Sequence, residues 1–406
     1  MTSEIMWNPK KSLMESSALY KFSKNLGFDS DSYEGLHAWS VKNKGSFWKA
    51  IWDFTDVIGD PGTINFLSNP DALMTGAQFF PEAKLNLAEN LLRGKNNFLA
   101  VVETDELGNR QEFSMGELKA MVAKVAEGLR GLGVKPRDRV AAILPNRIEA
   151  LISLLASASI GAIWTSCSPD FGTKGIIDRI GQTTPKVLFS TSTYIYNSKE
   201  HDFSSRVSEI VSYLKNLYAV VIVDDININK FEVDYSYILF ENFGKKSKLK
   251  FTKFPFSHPS YILYTSGTTG APKAIVHSIG GTILQHFKEH KLHNGLRPND
   301  RIMWYTNIAW MMYHWVVSSL GCNATLVLYD GVPITKKNNN FDGSLLWKVA
   351  DKEKLTHLGI SPKYISTLED INEHPINKYN INSLRWLLAA GSPVAPSQFD
   401  WIYKYI

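Results

Sequence analysis

The chain has 406 residues, of which 44% are apolar and 20% charged, and a formal net charge of +5. That length supports one large domain or two medium ones, and the composition excludes a disordered or low-complexity protein. The small positive surplus excludes a nucleic-acid footprint, and two cysteines, Cys167 and Cys322, exclude a disulfide framework or a metal knuckle.

Residues 1–13 lack the basic-then-apolar pattern of a secretory signal. Through residue 95 the chain carries Trp7, Trp39, Trp48 and Trp52 among short helical patterns, with Pro61-Gly62 as a turn signal. This stretch is expected to wrap a domain spanning residues 96–406 more than to form a separate sheet domain. From residue 112 the text becomes regular. Ser114 and Glu117 have capping-box spacing ahead of a helical pattern to Leu132, which Gly133 stops. Residues 139–144 read as a strand, 146–159 as a helix, 160–166 as a strand, 174–182 as a helix and 186–190 as a strand. Residues 204–216 then read as a helix and 218–223 as a strand. Alternation at crossover spacing predicts an α/β fold with parallel sheets and helices on both faces.

Two stretches, residues 150–169 and 302–329, are apolar and long enough to span a bilayer. Both contain serine, asparagine or glycine and change period midway, so each is read as a helix and a strand buried in one core. The basic run 245–253 and the run 336–340 read as solvated loops. His286, His290 and His293 share a helix face at a spacing that can bind zinc. Lys288 and Lys291 intervene and no acidic residue joins them, so an exposed face without a metal is expected. His277 is expected to pack locally.

The passage with the most chemistry is residues 261–278, YILYTSGTTGAPKAIVHS. A short β-rich run leads into Thr265, Ser266, Gly267, Thr268, Thr269 and Gly270, and Ala271, Pro272 and Lys273 close the loop. Glycines let backbone N–H groups approach an anion, hydroxyls add donors, and Lys273 adds positive charge, so the loop suits a polyphosphate. It is not the ATPase phosphate loop, in which lysine directly follows glycine.

At these residues the chain resembles the adenylate-forming superfamily of acyl-CoA synthetases, luciferases and peptide-synthetase adenylation domains. Tyr264 to Lys273 matches that family's phosphate-loop signature, except that Ala274 follows where the family usually has glycine. The Gly391-Ser392-Pro393 turn lies downstream, where the resemblance implies contacts to the adenine and ribose of the nucleotide. Residues 36–52, 79–92, 273–278, 280–296, 309–320 and 326–332 resemble the acetate branch, and within it the relatives that activate acetoacetate.

The resemblance implies a large domain of two parallel-sheet αβα subdomains with an incomplete, distorted β-barrel. It implies a cytosolic, AMP-forming acid–thiol ligase. ATP, Mg²⁺ and coenzyme A would serve with a short acid: acetoacetate first, then acetate, propionate or butyrate. A non-catalytic nucleotide-binding module is the rival of another class. Lys273 would be catalytic, with no protein-held metal and no nucleic-acid or membrane partner.

Trp310 and Met311 would border the acyl pocket, although core packing at a helix start explains Trp310 equally; Ala309 stands where glycine is expected. Residues 168–172 are a candidate for coenzyme A contact. Several downstream parts of the family's pattern are not found by residue 406: a metal-serving glutamate, a ribose-holding aspartate and a small domain with the adenylation lysine. A fragment of a protein roughly 250 residues longer is expected, with little adenylating activity alone.

Overall fold

The capping box expected at Ser114 forms. Its Oγ accepts from the Glu117 N–H at 3.2 Å, and Glu117 Oε2 accepts from the Ser114 N–H at 2.8 Å. Helix Met115–Gly131 follows, and Gly133 leaves it at φ +78°. The next helix, expected from residue 146, starts at Ile148 because the Asn146 side chain is drawn away to two carbonyls. It ends at Ile160, where Gly161 takes the left-handed conformation at φ +77° and a Cβ would lie 2.2 Å from the Phe254 ring. Helices Thr173–Ile180 and Ser204–Tyr213 and strands Arg139–Ile143, Ile163–Cys167, Val187–Ser190 and Ala219–Ile222 follow the expected alternation.

The computed structural model describes residues 5–28, 33–63, 65–72, 76–224, 235–265, 270–337 and 340–406. Among these, two large sheets dominate. A seven-stranded sheet runs in the order Tyr237–Leu239, Ala219–Ile222, Val187–Ser190, Arg139–Ile143, Ile163–Cys167, Pro259–Tyr264, Ala274–Ser278. A six-stranded sheet runs Trp386–Ala389, His357–Ile360, Arg301–Trp304, Thr325–Asp330, Leu99–Asp105, Arg110–Ser114. Each is parallel except for one antiparallel edge strand, Ala274–Ser278 in the first and Arg110–Ser114 in the second. A third, antiparallel sheet of three short strands joins Gly59–Asp60, Lys84–Leu85 and Phe254–Pro255. No closed barrel forms among the described residues.

Side chains alternate across both sheets, as strand geometry requires. Val140, Ala142 and Trp164 of the first sheet share a core with Val101, Ile302, Leu326 and Leu328 of the second. Helix Ile148–Ile160, buried at every position but Glu149, lies in that shared layer. On the far side of the first sheet, Ala141, Ile143, Leu188 and Val220 pack on Ile176, Val207 and Ile210. On the far side of the second, Val102, Met303, Val327 and Leu358 pack on Leu346, Trp347 and Ile365. The result is five layers, helices alternating with sheets. Among the described residues, no helix is long and apolar enough to cross a membrane.

The first helices, Lys11–Ser16, Ala18–Asn25, Tyr33–Lys42 and Lys44–Phe54, lie against this frame through Phe22, Ile51 and Trp52. Asn86 fastens the following segment. Its Oδ1 caps helix Leu87–Leu91, and its Nδ2 donates to the carbonyls of Ala158, Ser159 and Thr252.

Two expectations are corrected. His286 and His290 are buried, at 2% and 0% exposure, because helix Ile279–Lys288 passes through a π-turn, Glu289–His293, that faces the core. Burial lowers the pKa of both imidazoles and so favours a neutral pair inside the core instead of a solvated helix face. The run 336–340, read as a loop, contributes to an antiparallel hairpin of Thr335–Lys337 with Asn340–Asp342; residues 338 and 339 lie outside the described residues.

Candidate nucleotide and acyl-transfer site

Strand Pro259–Tyr264 delivers the glycine- and hydroxyl-rich loop, and strand Ala274–Ser278 returns from it. The loop's two ends are clasped. The Thr265 N–H donates to the Lys273 carbonyl at 3.1 Å, and the Lys273 N–H donates to Thr265 Oγ1 at 3.2 Å. Gln182 Nε2 donates to the Pro272 carbonyl at 2.8 Å, and the hydroxyls of Tyr264 and Thr165 share a hydrogen bond of 2.7 Å. Lys273 and Gly270 are exposed. Ser266, Gly267, Thr268 and Thr269 lie outside the described residues. The clasp therefore brings Thr265 and Lys273 together at the edge of the first sheet, with the Lys273 side chain exposed.

Gly391, Ser392 and Pro393 follow strand Trp386–Ala389 at the edge of the second sheet, and all three are exposed. Gly391 adopts φ +109°, which side-chain-bearing residues avoid. This turn and the loop at Lys273 thus stand on different sheets.

A cleft of about 310 Å³ opens where strands of both sheets end. Pro145 and Asn146, Ser168 to Asp170, and Tyr194 to Tyr196 come from the first sheet's side, and Tyr305 to Asn307, Tyr329 to Gly331, and Ser361 from the second. Carboxyl ends of parallel strands are where open α/β sheets bind ligands. Trp310 lines the cleft, is 44% exposed, and meets the Phe171 ring edge-on at 6.2 Å. Met311 is the first residue of helix Met311–Val317 and packs on the shared core instead. Neither Lys273 nor Gly391 to Pro393 lines this cleft.

Several residues here were not singled out from the sequence. Asn146 Nδ2 donates to the carbonyls of Thr306 and Tyr329, tying the two sheets together beneath the cleft. Ser166 Oγ donates to the Ile308 carbonyl at 2.7 Å and steadies the turn before Trp310. Arg147 pairs with Glu149 and Asp224, each at 3.2 Å, and with Glu103 at 3.8 Å. Burial pushes the Glu103 carboxyl up to about 7, with help from the Glu149 charge. Burial likewise pushes Asp330 up to about 7, against the pull of Arg147. The strand-end rule could have pointed to both Asn146 and Asp330, since Asp330 ends parallel strand Thr325–Asp330 and Asn146 lies shortly past the end of parallel strand Arg139–Ile143. Burial pushes the Cys167 thiol up to about 12 and the Cys322 thiol up to about 11, so neither is a ready nucleophile.

Two doubly wound sheets with a cleft at their strand ends define an α/β protein of the class that binds ligands at strand ends. The chain belongs to the AMP-binding enzyme family, whose model matches residues 89–406. It is 38% identical to an acetoacetyl-coenzyme A synthetase of Rhizobium meliloti (strain 1021) over 408 residues, 99% of this chain and 62% of that protein. It is 36% identical to an acetoacetyl-CoA synthetase of Xenopus tropicalis over 421 residues, 100% of this chain and 62% of that protein. The solved structure of an acetoacetyl-CoA synthetase from Streptomyces lividans superposes with a TM-score of 0.91 at 34% identity, covering 99% of this chain and 62% of that one. The chain thus spans 62% of the length of these relatives.

Proposed function

We propose that the protein carrying this chain joins acetoacetate to coenzyme A, using ATP and releasing AMP and pyrophosphate. The whole-length similarity to acetoacetyl-CoA synthetases supports the substrate. The observation that carries the chemistry is the clasp between Thr265 and Lys273, which holds a glycine- and hydroxyl-rich loop at the end of a buried strand.

A carboxylate is a poor electrophile because its charge is delocalised. Catalysis must hold it in line with the α-phosphorus of ATP and neutralise the charge that builds on the leaving pyrophosphate. In this reading the loop from Thr265 to Gly270 surrounds the β- and γ-phosphates with N–H and O–H donors. Lys273 supplies the positive charge. Gly391, Ser392 and Pro393 border the adenosine. Oxygen of the acid displaces pyrophosphate to give acyl-AMP; the thiol of coenzyme A then displaces AMP and the acyl group leaves as a thioester. Trp310, with Met311 behind it, would border the acyl end of the cleft, and Ser168 to Gly172 would meet the thiol's arm. Mg²⁺ would accompany ATP and share the phosphate charge with the loop donors and Lys273.

We also read residues 1–95 as a segment wrapped on the main domain, as the placement of Trp52 and Asn86 suggests. Two free, buried cysteines suit a reducing compartment such as the cytosol.

The test is ATP–pyrophosphate exchange by the full protein with acetoacetate, acetate, propionate and butyrate in turn. Acetoacetate is expected to support the fastest exchange. Exchange with acetate but none with acetoacetate would overturn the substrate assignment, and no exchange with any acid would overturn the activity.

A further inference from the structure

One wall of the cleft is a hairpin of Thr193–Tyr196 with Lys199–Asp202, which contributes Tyr194, Ile195 and Tyr196 to the lining. It forms a two-stranded sheet of its own. Such a ribbon is marginal in water unless something else holds it. Its base is held well. Asp224 accepts from the N–H groups of Ser192 and Thr193 at 2.7 and 3.4 Å, and Tyr194 stacks on His201 across the strands at 5.0 Å.

The tip is held by one carboxylate. Asn197 and Ser198 both sit in the left-handed region, at φ +52° and +58°. Asparagine tolerates that turn geometry, whereas serine adopts it at some cost. The Ser198 N–H donates to Glu106 Oε1 at 2.6 Å. The other oxygen, Oε2, accepts from the Val332 N–H at 2.9 Å, just beyond the cleft residues Tyr329 to Gly331. The backbone of Glu106 is registered to the same wall, its N–H donating to the Asp330 carbonyl at 3.0 Å. No cation pairs with Glu106 among the described residues, so both its oxygens serve backbone donors. Such charge-assisted bonds are about twice as strong as neutral ones.

We propose that Glu106 is a positioning residue for the cleft. By gripping the hairpin tip with one oxygen and the Val332 turn with the other, it fixes the distance between two walls and so the width open to a ligand. This rests on reading the cleft as the site of the thiol co-substrate, whose long, flexible arm gains most from preformed walls. Glu106 touches no reacting atom.

Coenzyme A is titrated by calorimetry into the full protein and its Glu106→Ala and Glu106→Gln variants, with amide hydrogen exchange measured across residues 193–202. Glu106→Ala is expected to weaken coenzyme A binding at least about fivefold and to speed exchange at Ser198 at least about tenfold. Glu106→Gln keeps one acceptor and falls between, and it stands in should the alanine variant fail to fold. Native-like affinity in a variant whose hairpin exchanges faster overturns the positioning role. Unchanged exchange at Ser198 overturns the clamp itself. If the native protein binds no coenzyme A while still exchanging pyrophosphate, the reading of the cleft falls and this proposal with it.

Discussion

Lys273 is exposed, and its backbone bonds to Thr265 across the base of the loop. In the proposed chemistry its replacement by alanine takes one positive charge from the phosphate site and leaves the clasp intact, since the clasp uses only the Lys273 backbone. Lys273→Ala should slow pyrophosphate exchange by the full protein at least about tenfold, the effect of about 1.4 kcal/mol on a barrier. A native rate in the variant would remove Lys273 from the proposed chemistry. Glu103 offers a test of the buried charge network. Its carboxyl is raised from 4.5 to about 7, so the folded chain binds that proton more tightly than the unfolded chain does. Between those values the group makes stability fall as pH rises. Glu103→Gln cannot ionise, so its melting temperature should fall less than native between about pH 5 and 7. Parallel melting curves would show that the carboxyl titrates normally.

Among elements, the cap residues decide where helices begin. Ser114 Oγ and the Glu117 carboxylate satisfy two otherwise free N–H groups at the head of helix Met115–Gly131. Ser114→Ala should cost about 1 kcal/mol, read by denaturant unfolding. Asn86 is a costlier position. It caps helix Leu87–Leu91 and donates to carbonyls at the end of helix Ile148–Ile160 and at Thr252, all with its side chain fully buried. Asn86→Ala strands those groups away from water, and a loss of about 2–4 kcal/mol is expected. A loss no larger than that of Ser114→Ala would mean that the segment around Asn86 opens freely to solvent.

Over the whole molecule, a layer of neutral histidines sets the response to acid. His290 is pushed down to about 4 and His314 to about 3, both mainly by burial, and His286 is held well below its usual range. His314 stacks on Tyr261 at 4.2 Å, and Tyr261 on His277 at 4.7 Å. Below the ordinary histidine value of 6.5 the unfolded chain takes up protons that the folded chain refuses. Stability from these groups is therefore present above 6.5 and is lost as pH falls toward about 4. This runs opposite to the Glu103 effect, so the two are separated by variants. His314→Phe keeps a ring on Tyr261 without a titrating nitrogen, and its stability should decline less between pH 6.5 and 4 than the native chain's.

The alternation of strands and helices from residue 112 and the capping box were legible in the sequence because each depends on neighbours in the chain: hydrogen bonds three or four residues away, or side-chain alternation along one strand. The pairing of strands into two sheets that share helix Ile148–Ile160 was not, because that helix is buried at every position but Glu149 and its sequence names no single inward face. The buried histidines were misread as exposed for a related reason. Their spacing fits a helix face, but only tertiary packing, with His290 against Trp315, decides that His286 and His290 turn inward. The cleft is a tertiary product altogether, since Asn146, Asp170, Tyr196, Trp310 and Asp330 meet only where strands distant in sequence end side by side. Local chemistry thus determined the elements and the loop that names the family, while the meeting of distant strand ends, which costs loop-closure entropy and is repaid by burial, decided where a ligand can sit.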